Sequence, residues 1–433
     1  MADAPTAGPG QRAALRSLDD ALAELLAHVD AVLPPETVST FDAHGRVLAA
    51  DLRSSLQVPP HDNSAMDGYA LRSADAPVPD CVLPVSQRIA AGSVGAALAP
   101  GSAARIFTGA PLPAGADAVV MQEETTALDD GARVRFGQVP AAGQNVRRAG
   151  EDVTLGAVVL ARGTRLAPAA CGLAASIGEA TLAVTRRPRV ALCSTGDELV
   201  MPGEVLPQDL PPGAIYNSNR FFLRALLMRA GCEVTDIGIV PDRLEATVAV
   251  LDGAARTHDL VLTSGGVSVG EEDHVRHAVE ALGRLELWQL AIKPGKPFAY
   301  GRIGGGGGPR AGDAAATAST GCHFIGLPGN PVSSFVTFLI LVRPFLLKLQ
   351  GAAASLPSPV MLPAYFDVPR ADRRREFLRV RRNGAGGLDL FPNQSSGVLT
   401  SVAWGDGLVD NAAGRIVARG DLVPFLSYAD LLG

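Results

Sequence analysis

Hydrophobic and polar residues follow two different periods between residues 187 and 350. Short, continuous apolar runs alternate there with longer stretches in which apolar residues recur every three to four positions. Continuous apolar runs predict strands buried on both faces, and the longer period predicts amphipathic helices. Their alternation is typical of a doubly wound α/β domain with a mostly parallel sheet. The predicted strands are 190–193, 234–239, 260–262, 285–290, 298–301 and 324–326, and the predicted helices are 219–229, 243–255, 275–282 and 331–349.

The segments before residue 187 predict a β-rich domain flanked by helical elements. Short apolar runs broken by glycine, proline and aspartate indicate β structure from about residue 55 to 140, with strands at 103–111 and 118–121. Residues 17–33 form an amphipathic pattern, 158–160 is strand-like and 168–177 predicts a helix. We expect the elements after residue 145 to pack on the N-terminal helix, which would build one α/β linking domain from two separated segments.

After residue 351 the pattern predicts a small C-terminal β domain. Its predicted strands are 377–380, 388–391, 415–418 and 422–425. Residues 1–12 are predicted to be a disordered tail. The Gly-, Ala- and Thr-rich insertion 304–321 has no apolar period and predicts a flexible hairpin tip.

The composition fits a globular protein of several domains that works in the cytoplasm. The chain has 433 residues, of which 47% are hydrophobic and 19% charged. A formal net charge of −6 argues against a nucleic-acid binder. Five scattered cysteines without CxxC spacing argue against a zinc site or a disulfide framework. No signal peptide is predicted, and Arg343 and Pro344 interrupt the most apolar segment, which favours a buried helix over a membrane span.

Polar turns follow four of the predicted strands, at 194–198, 241–242, 263–273 and 327–330. Because ligands bind at the carboxyl ends of strands in such sheets, these turns should cluster on one rim. The turn at 263–270, TSGGVSVG, lies between a strand and a helix, where free backbone N–H groups and the helix dipole attract anions. An ordinary turn with a helix cap is the alternative interpretation.

Charged residues of both signs occur in the predicted loops. Two lysines, Lys293 and Lys296, lie in a Pro/Gly loop and could grip a phosphate or another oxyanion, although a solvated loop has the same composition. A single carboxylate is more often a cap or a surface charge than a catalytic group, but a cluster requires a cation, and Mg²⁺ prefers oxygen ligands. The candidate carboxylates are Asp62, Asp67, Asp152, Asp197, Glu198, Asp242 and Asp273.

Seven motifs, in the same order along the chain, make the sequence resemble the molybdopterin molybdenumtransferase family, which comprises the bacterial MoeA proteins and the E domain of gephyrin. The motifs are DNSAMDGYA at 62–70, RIFTGAP at 105–111, NVRRAGED at 145–152, STGDEL at 194–199, TSGGVSVG at 263–270, IKPGKP at 292–297 and GLPGNPVS at 326–333.

The resemblance implies an elongated, four-domain homodimer in the cytoplasm. The implied domains are 13–54 with 145–186, 55–144, 187–350, and a small β-barrel at 351–433. The active site would lie between the α/β domain of one subunit and the β-rich domain of the other. The implied reaction consumes adenylylated molybdopterin and molybdate, requires Mg²⁺, releases AMP and inserts molybdenum into the dithiolene. Contact with the adenylyltransferase and other cofactor-biosynthesis proteins is also expected, but no nucleic-acid or membrane partner.

The resemblance also implies roles for individual residues. The implied metal ligands are Glu198, Asp242 and Asp273, which would also be catalytic together with Asp62, Asp152 and Lys293. The implied substrate-binding residues are Thr108, Thr263, Ser264, Gly265, Gly266, Ser268, Gly270, Lys296, Pro328, Gly329, Asn330, Arg374 and Ser396. The chain departs from the family at Gln289, where relatives often have a lysine, and at His61, which is usually apolar or aromatic.

Two other functions compete with this interpretation. A molybdopterin adenylyltransferase shares the glycine-rich phosphate turn but usually lacks the DNSAMDGYA and NVRRAGED regions. A non-catalytic scaffold, the second role of the gephyrin E domain, would leave the acidic loops without a function in turnover.

Overall fold

The computed structural model describes residues 15–266, 274–304, 321–353 and 356–432. The predicted tail at 1–12 and the interior of the predicted hairpin tip lie outside these ranges. Apart from short 3-10 turns, the helices of the described chain are Leu18–Ala27, Pro168–Ser176, Ser218–Arg229, Leu244–Ala255, His274–Leu282, Pro331–Thr337, the π-helical Phe338–Val342, Arg343–Leu349, Thr400–Trp404 and Tyr428–Leu432.

Six strands form the central sheet of the α/β region. Their order is Glu233–Val240, Arg189–Thr195, Leu260–Ser264, Cys322–Leu327, Pro297–Ile303 and Gly283–Gln289. The first four are parallel, and the last two pair antiparallel. The predicted strands and helices of this region are therefore confirmed, each within a few residues of its predicted bounds.

Helices cover both faces of this sheet because its strands are apolar on both sides. One face packs in a cluster that includes Leu223, Leu262 and Phe338, and the other packs in a cluster that includes Leu251 and Val279. The sheet thus has a hydrophobic core on each side, as the continuous apolar runs predict.

The apolar helix after the last central strand is a core element. Pro331–Thr337, a π-helical stretch Phe338–Val342 and Arg343–Leu349 follow one another without a break. By length and composition, this is the one helix of the described chain that could cross a membrane, but 89% of its most apolar window is buried inside the protein. The segment is therefore a buried helix, as predicted.

The N-terminal helix is shorter than predicted and packs elsewhere. It spans Leu18–Ala27, and the Ser17 hydroxyl caps it by accepting a hydrogen bond from the Asp20 amide. Its buried face joins the core of the α/β region, where it contacts the helix Arg343–Leu349. The expectation that the segment after residue 145 packs on this helix is therefore wrong, because the leucine stripe finds a larger apolar surface on the α/β core.

Strand pairing nevertheless joins the two separated segments of the predicted linking domain. Pro35–Ser39 pairs with Thr181–Thr185, and Leu52–Arg53 pairs with Val158–Leu160. A small core of residues such as Leu48, Leu166 and Val184 lies beneath them.

The β-rich region contains a second six-stranded sheet. Its order is Ala118–Met121, Gly68–Leu71, Ala103–Ile106, Cys81–Ile89, Arg133–Phe136 and Thr125–Leu128. The two strands predicted here are confirmed, and the first of them ends before the glycine at position 109. Shorter paired strands at Asn63–Ser64 and Val146–Arg147 bring two of the sequence motifs together.

The C-terminal region consists of five main strands. Val360–Pro363, Leu422–Ser427, Gly407–Asn411, Arg375–Arg382 and Leu388–Leu390 pair in this order, and a bridge between Ala364 and Leu388 joins the last to the first. Ile292–Lys293 from the α/β region adds a short parallel pairing to Arg375–Glu376. The predicted strand at 415–418 is wrong, since only Val417 forms a bridge there. The strand Gly407–Asn411 was not predicted, because its apolar and polar residues alternate little. The remaining short strands are Ile215–Tyr216 and Leu199–Val200.

Candidate functional site

A cavity of about 630 Å³ opens at the carboxyl ends of the parallel strands. Its lining comes from three strand ends, from the start of two helices and from one loop of the C-terminal region. The lining residues are Thr195, Glu198, Leu199, Ile215, Tyr216, Asn217, Ser218, Asn219, Ser264, Gly265, Gly329, Asn330, Pro331 and Gly397.

The register of the parallel strands produces this cavity. Ser194 lies beside Ser264, and Ser264 lies beside Leu327, so all three strands end at the same level. The Gly265 amide donates a hydrogen bond of 3.0 Å to the Leu327 carbonyl, which ties two of the turns together. The sequence prediction that the polar turns cluster on one rim agrees with this geometry.

Asn219 links two of these turns through its side chain. Its amide nitrogen donates to the Ser264 hydroxyl and to the Gly329 carbonyl, each at 2.7 Å. Neither this residue nor its neighbour Asn217 was among the predicted site residues. A signal existed, because Asn217 is a helix N-cap that accepts from the Arg220 amide, and polar residues at the start of a helix lie beside any ligand bound there.

Two glycines allow the turn after Ser264 to pass close to the neighbouring strand. Gly265 has a φ of +96° and Gly266 a φ of +66°. A Cβ atom on Gly265 would lie 2.9 Å from the Thr195 carbonyl oxygen, and one on Gly266 would lie 2.4 Å from Val275 Cγ2. Residues with a side chain would therefore push this turn out of its position.

Four buried polar atoms at this end of the sheet lack a hydrogen-bond partner within the described chain. They are Ser194 Oγ, Thr195 Oγ1, Thr263 Oγ1 and Asn217 Nδ2. Buried polar groups are almost always hydrogen-bonded in folded proteins, so a concentration of unpaired ones indicates a place for a polar ligand.

Two of the three predicted metal ligands lie at the same rim. Glu198 lines the cavity, and its carboxylate folds back over Gly196. The amide of Asp242 donates to Asp197 Oδ1 at 3.4 Å, which brings the turns at 194–198 and 241–242 together. Asp273, Ser268 and Gly270 lie outside the described residues.

Lys293 does not line the cavity but lies in a charged cluster beside the C-terminal region. Its ammonium group is 2.9 Å from Glu376 Oε1 and 3.4 Å from Asp372 Oδ2. The hydrogen bond to Glu376, assisted by Asp372, raises the pKa of Lys293. Arg374, another predicted residue, binds Asp372 through two guanidinium nitrogens. Among the described residues, Lys296 neither lines the cavity nor forms an ion pair. Its backbone carbonyl accepts a hydrogen bond from the Leu290 amide.

The predicted residues of the β-rich region, together with Asp152 of the segment that follows it, form a separate group. Asp62 accepts from the Ala149 amide at 2.8 Å and from Arg148 at 2.6 Å, and the amide hydrogen bond is the main cause of its lowered pKa. Asp67 accepts from the amide and hydroxyl of Thr108, which lower the pKa of Asp67. The amide of Asp152 donates to the Val58 carbonyl. Among the described residues, no hydrogen bond or ion pair connects these side chains to the cavity.

The C-terminal region reaches the cavity through one loop. Gly397 lines it, and the carbonyl of Ser396 accepts from the Val332 amide at 3.0 Å in the first turn of the core helix. The backbone of Ser396 thus contacts the start of the core helix, and its role in substrate binding stays a prediction.

Comparison with known proteins identifies the family. A model of the MoeA N-terminal region (domain I and II) matches residues 16–178, the probable molybdopterin binding domain matches 191–348, and the MoeA C-terminal region (domain IV) matches 362–428. The molybdopterin molybdenumtransferase of Haemophilus influenzae is 42% identical over 336 residues, covering 77% of this chain and 78% of that protein. The chain belongs to the molybdopterin molybdenumtransferase family. The resemblance seen in the motifs is confirmed.

Other members of the molybdopterin molybdenumtransferase family match over a greater length. Molybdopterin molybdenumtransferase 2 of Mycobacterium tuberculosis is 37% identical over 394 residues, or 87% of this chain and 90% of that protein. The crystal structure of the molybdopterin biosynthesis moeA protein from Pyrococcus horikoshii superimposes with a TM-score of 0.80 at 27% identity, covering 96% of this chain and 100% of that one. The multidomain α/β plus β architecture is therefore shared.

The donor atoms at the rim suit the Mg²⁺ ion that the molybdopterin molybdenumtransferase family implies. Glu198 and Asp242 offer the carboxylate oxygens that Mg²⁺ prefers. Within the described ranges, one set of three ligand atoms lies within 4.8 Å of one another, and it comprises Glu24, His28 and Glu286. That set joins the N-terminal helix to an edge strand and includes neither Glu198 nor Asp242.

Proposed function

We propose that the chain is a molybdopterin molybdenumtransferase of molybdenum cofactor biosynthesis. In the proposed reaction it takes adenylylated molybdopterin and molybdate, cleaves the phosphoanhydride, releases AMP and inserts molybdenum into the dithiolene. The observation that carries the proposal is the cavity at the strand ends, because it is lined by a glycine turn, by a helix start and by Thr195 and Asn217, each with a buried polar atom that lacks a partner among the described residues.

These features suit an anionic substrate. The N-terminal end of the core helix carries partial positive charge, which favours phosphate. We propose that Thr263, Ser264, Gly265, Gly266, Ser268 and Gly270 hold the substrate phosphates, together with Pro328, Gly329 and Asn330. We propose that Lys293, Lys296 and Arg374 add positive charge for the substrate, for which Lys293 and Arg374 would exchange their present partners Glu376 and Asp372.

Mg²⁺ would balance the carboxylates that face this anion. We propose that Glu198, Asp242 and Asp273 hold the ion, since carboxylates without a cation would repel the substrate. When bound, the ion stabilises negative charge on the leaving phosphate.

The group around Asp62 supports a site shared between two copies of the chain. Asp62, Thr108 and Asp152 have no contact with the cavity within one described chain. We propose that a second copy supplies them in a homodimer, where Asp62 and Asp152 act on the substrate of the first copy.

The same proposal covers the domain boundaries. They are 13–54 with 145–186, 55–144, 187–350, and a C-terminal β-barrel at 351–433. The pairing of Pro35–Ser39 with Thr181–Thr185 supports the split domain, although the helix Leu18–Ala27 packs on the α/β core. A cytoplasmic location and contact with the adenylyltransferase complete the proposal.

The reaction can be tested with the purified full-length chain. It is incubated with adenylylated molybdopterin and molybdate over a range of Mg²⁺ concentrations, and AMP release is followed. We expect AMP release to require Mg²⁺, and Asp242→Asn to lower turnover and to raise the Mg²⁺ concentration that gives half-maximal rate.

The matched control for that variant is Asp252→Asn, which removes an exposed carboxylate that pairs with Arg256 on a helix. It should leave the Mg²⁺ dependence unchanged. Absence of AMP release from the wild type, or ATP-dependent adenylylation of molybdopterin in its place, would overturn the proposed reaction.

A further inference from the structure

A histidine and two glutamates converge where the N-terminal helix meets the edge strand of the central sheet. Glu24 and His28 lie four positions apart at the end of the helix Leu18–Ala27, so they share one of its faces. Glu286 lies on the strand Gly283–Gln289 opposite them. One ligand atom from each of the three lies within 4.8 Å of those of the other two. None of the three is among the residues that line the cavity, so the cluster is separate from it.

The imidazole of His28 is held in place, but one of its nitrogens has no partner. Its ring stacks on the ring of the buried Tyr300, with centroids 4.2 Å apart and an angle of 16° between the planes. Arg302 donates to the backbone carbonyl of His28 at 2.6 Å. His28 Nε2 is nevertheless buried and lacks a hydrogen-bond partner among the described residues. Buried polar atoms are nearly always paired, so this nitrogen points to a ligand.

The carboxylate of Glu286 faces this nitrogen at a distance that suits a shared metal ion. Glu286 Oε2 lies 3.8 Å from His28 Nε2, which is too long for a hydrogen bond. A Zn²⁺ ion with ligand bonds of about 2.1 Å places two ligand atoms about 3.4 Å apart in tetrahedral geometry. Small movements of the two side chains would therefore let one ion bind both atoms.

Two arginines orient the carboxylates from outside the cluster. Arg16 pairs with the carboxylate of Glu24, and Arg284 Nη2 lies 3.4 Å from Glu286 Oε1. The second oxygen of Glu286, Oε2, is thereby turned towards His28. Partners of this kind fix metal-binding carboxylates in position. The C-terminal end of the helix also carries partial negative charge, which favours a cation beside His28.

We propose that Glu24, His28 and Glu286 form a Zn²⁺ site that joins the N-terminal helix to the edge strand of the central sheet. One imidazole nitrogen with carboxylate oxygens is a donor set that suits Zn²⁺, whereas Mg²⁺ takes oxygen ligands alone. Three protein ligands leave the fourth position of a tetrahedral ion to water. The site does not depend on the proposed transferase reaction, because it shares no residue with the cavity.

The test titrates Zn²⁺ into the full-length chain by calorimetry, with excess Mg²⁺ present to fill sites made of oxygen ligands. The wild type should bind Zn²⁺, and His28→Gln and Glu286→Gln should each weaken that binding by about tenfold or more. Bound Zn²⁺ should also slow amide hydrogen exchange in residues 18–28 of the wild type. The controls are His277→Gln and Glu280→Gln, on a helix that packs on the other face of the sheet, and both should bind Zn²⁺ as the wild type does.

Wild-type affinity for Zn²⁺ in either His28→Gln or Glu286→Gln would place the ion elsewhere, for example on a cysteine, and would overturn the proposal. No binding of Zn²⁺ by the wild type would overturn it as well. If His28→Gln does not fold, because it loses the stacking on Tyr300, the isosteric Glu286→Gln decides between the same two outcomes. A wild type that releases no AMP would contradict the proposed reaction but not this site, since the calorimetry uses no substrate.

Discussion

At the scale of single residues, the site depends on side chains that hold turns in place as much as on those that would touch substrate. Asn219 is nearly buried and connects the turn after Leu260–Ser264 to the turn before the core helix. A helix residue thus couples two loops that come from distant parts of the chain.

Replacing Asn219 by alanine should disturb both turns. The loss of two hydrogen bonds from buried partners should lower the free energy of unfolding by about 1–3 kcal/mol. Displacement of the turns should lower kcat/KM for AMP release by about tenfold or more. Urea unfolding and steady-state kinetics measure the two effects, and Arg224→Ala, an exposed change on the same helix, is the control. Unchanged kinetics in a folded Asn219→Ala protein would remove this residue from the site.

Asp62 offers a test by pH. Its hydrogen bond from the Ala149 amide, with help from Arg148, lowers its pKa below the usual 3.8. A carboxyl group with a lowered folded-state pKa stabilises the protein above its unfolded-state pKa, and this contribution is lost as the pH falls through the folded-state value. Asp62→Asn should therefore be less stable than the wild type at neutral pH, and the difference should shrink only below about pH 3.9.

Urea unfolding of both proteins at several pH values gives that difference. A stability difference that does not change with pH below the normal aspartate pKa would show that the Ala149 and Arg148 contacts do not depend on the charge of Asp62.

At the scale of elements, the loop with both lysines is fixed by close packing on the core helix. Gly295 has a φ of +112°, and a Cβ atom there would lie 2.6 Å from Thr337 Oγ1. Ile292–Lys293 pairs with Arg375–Glu376 immediately before this loop, so the loop connects the α/β region to the C-terminal region.

Gly295→Ala should move this loop. The clash and the strained backbone should lower the free energy of unfolding by about 1–3 kcal/mol. Gly384→Ala is the matched control, because a Cβ atom there meets nothing within 4 Å. Thermal unfolding compares the two, and equal stability of both variants would contradict the packing described.

The elements of the α/β region can be predicted from the sequence because its strands are uniformly apolar and its helices have long apolar stripes. Parallel strands place their carboxyl ends at one edge of the sheet, which is why the rim is predictable as well. The packing of Leu18–Ala27 is not, since an apolar stripe does not specify its partner. Asn219 escapes sequence analysis for a related reason, because it acts through contacts with residues more than ten positions away.

At the scale of the whole molecule, the described site residues lie in three separate places. The cavity group belongs to the α/β region and one C-terminal loop, Lys293 and Arg374 lie in the charged cluster with Asp372 and Glu376, and the Asp62 group belongs to the β-rich region and the segment that follows it. The proposed homodimer would bring the cavity of one copy to the Asp62 group of the other.

Subunit complementation tests that arrangement most directly. Asp62→Ala and Glu198→Ala chains should each be inactive alone, and they are mixed after dissociation and allowed to reassociate. Half of the random dimers should be mixed, and each mixed dimer should hold one intact site, so about a quarter of the wild-type rate of AMP release should return. Recovery to about that level is the predicted result, and no recovery from a mixture shown to contain mixed dimers would contradict a site shared between two copies.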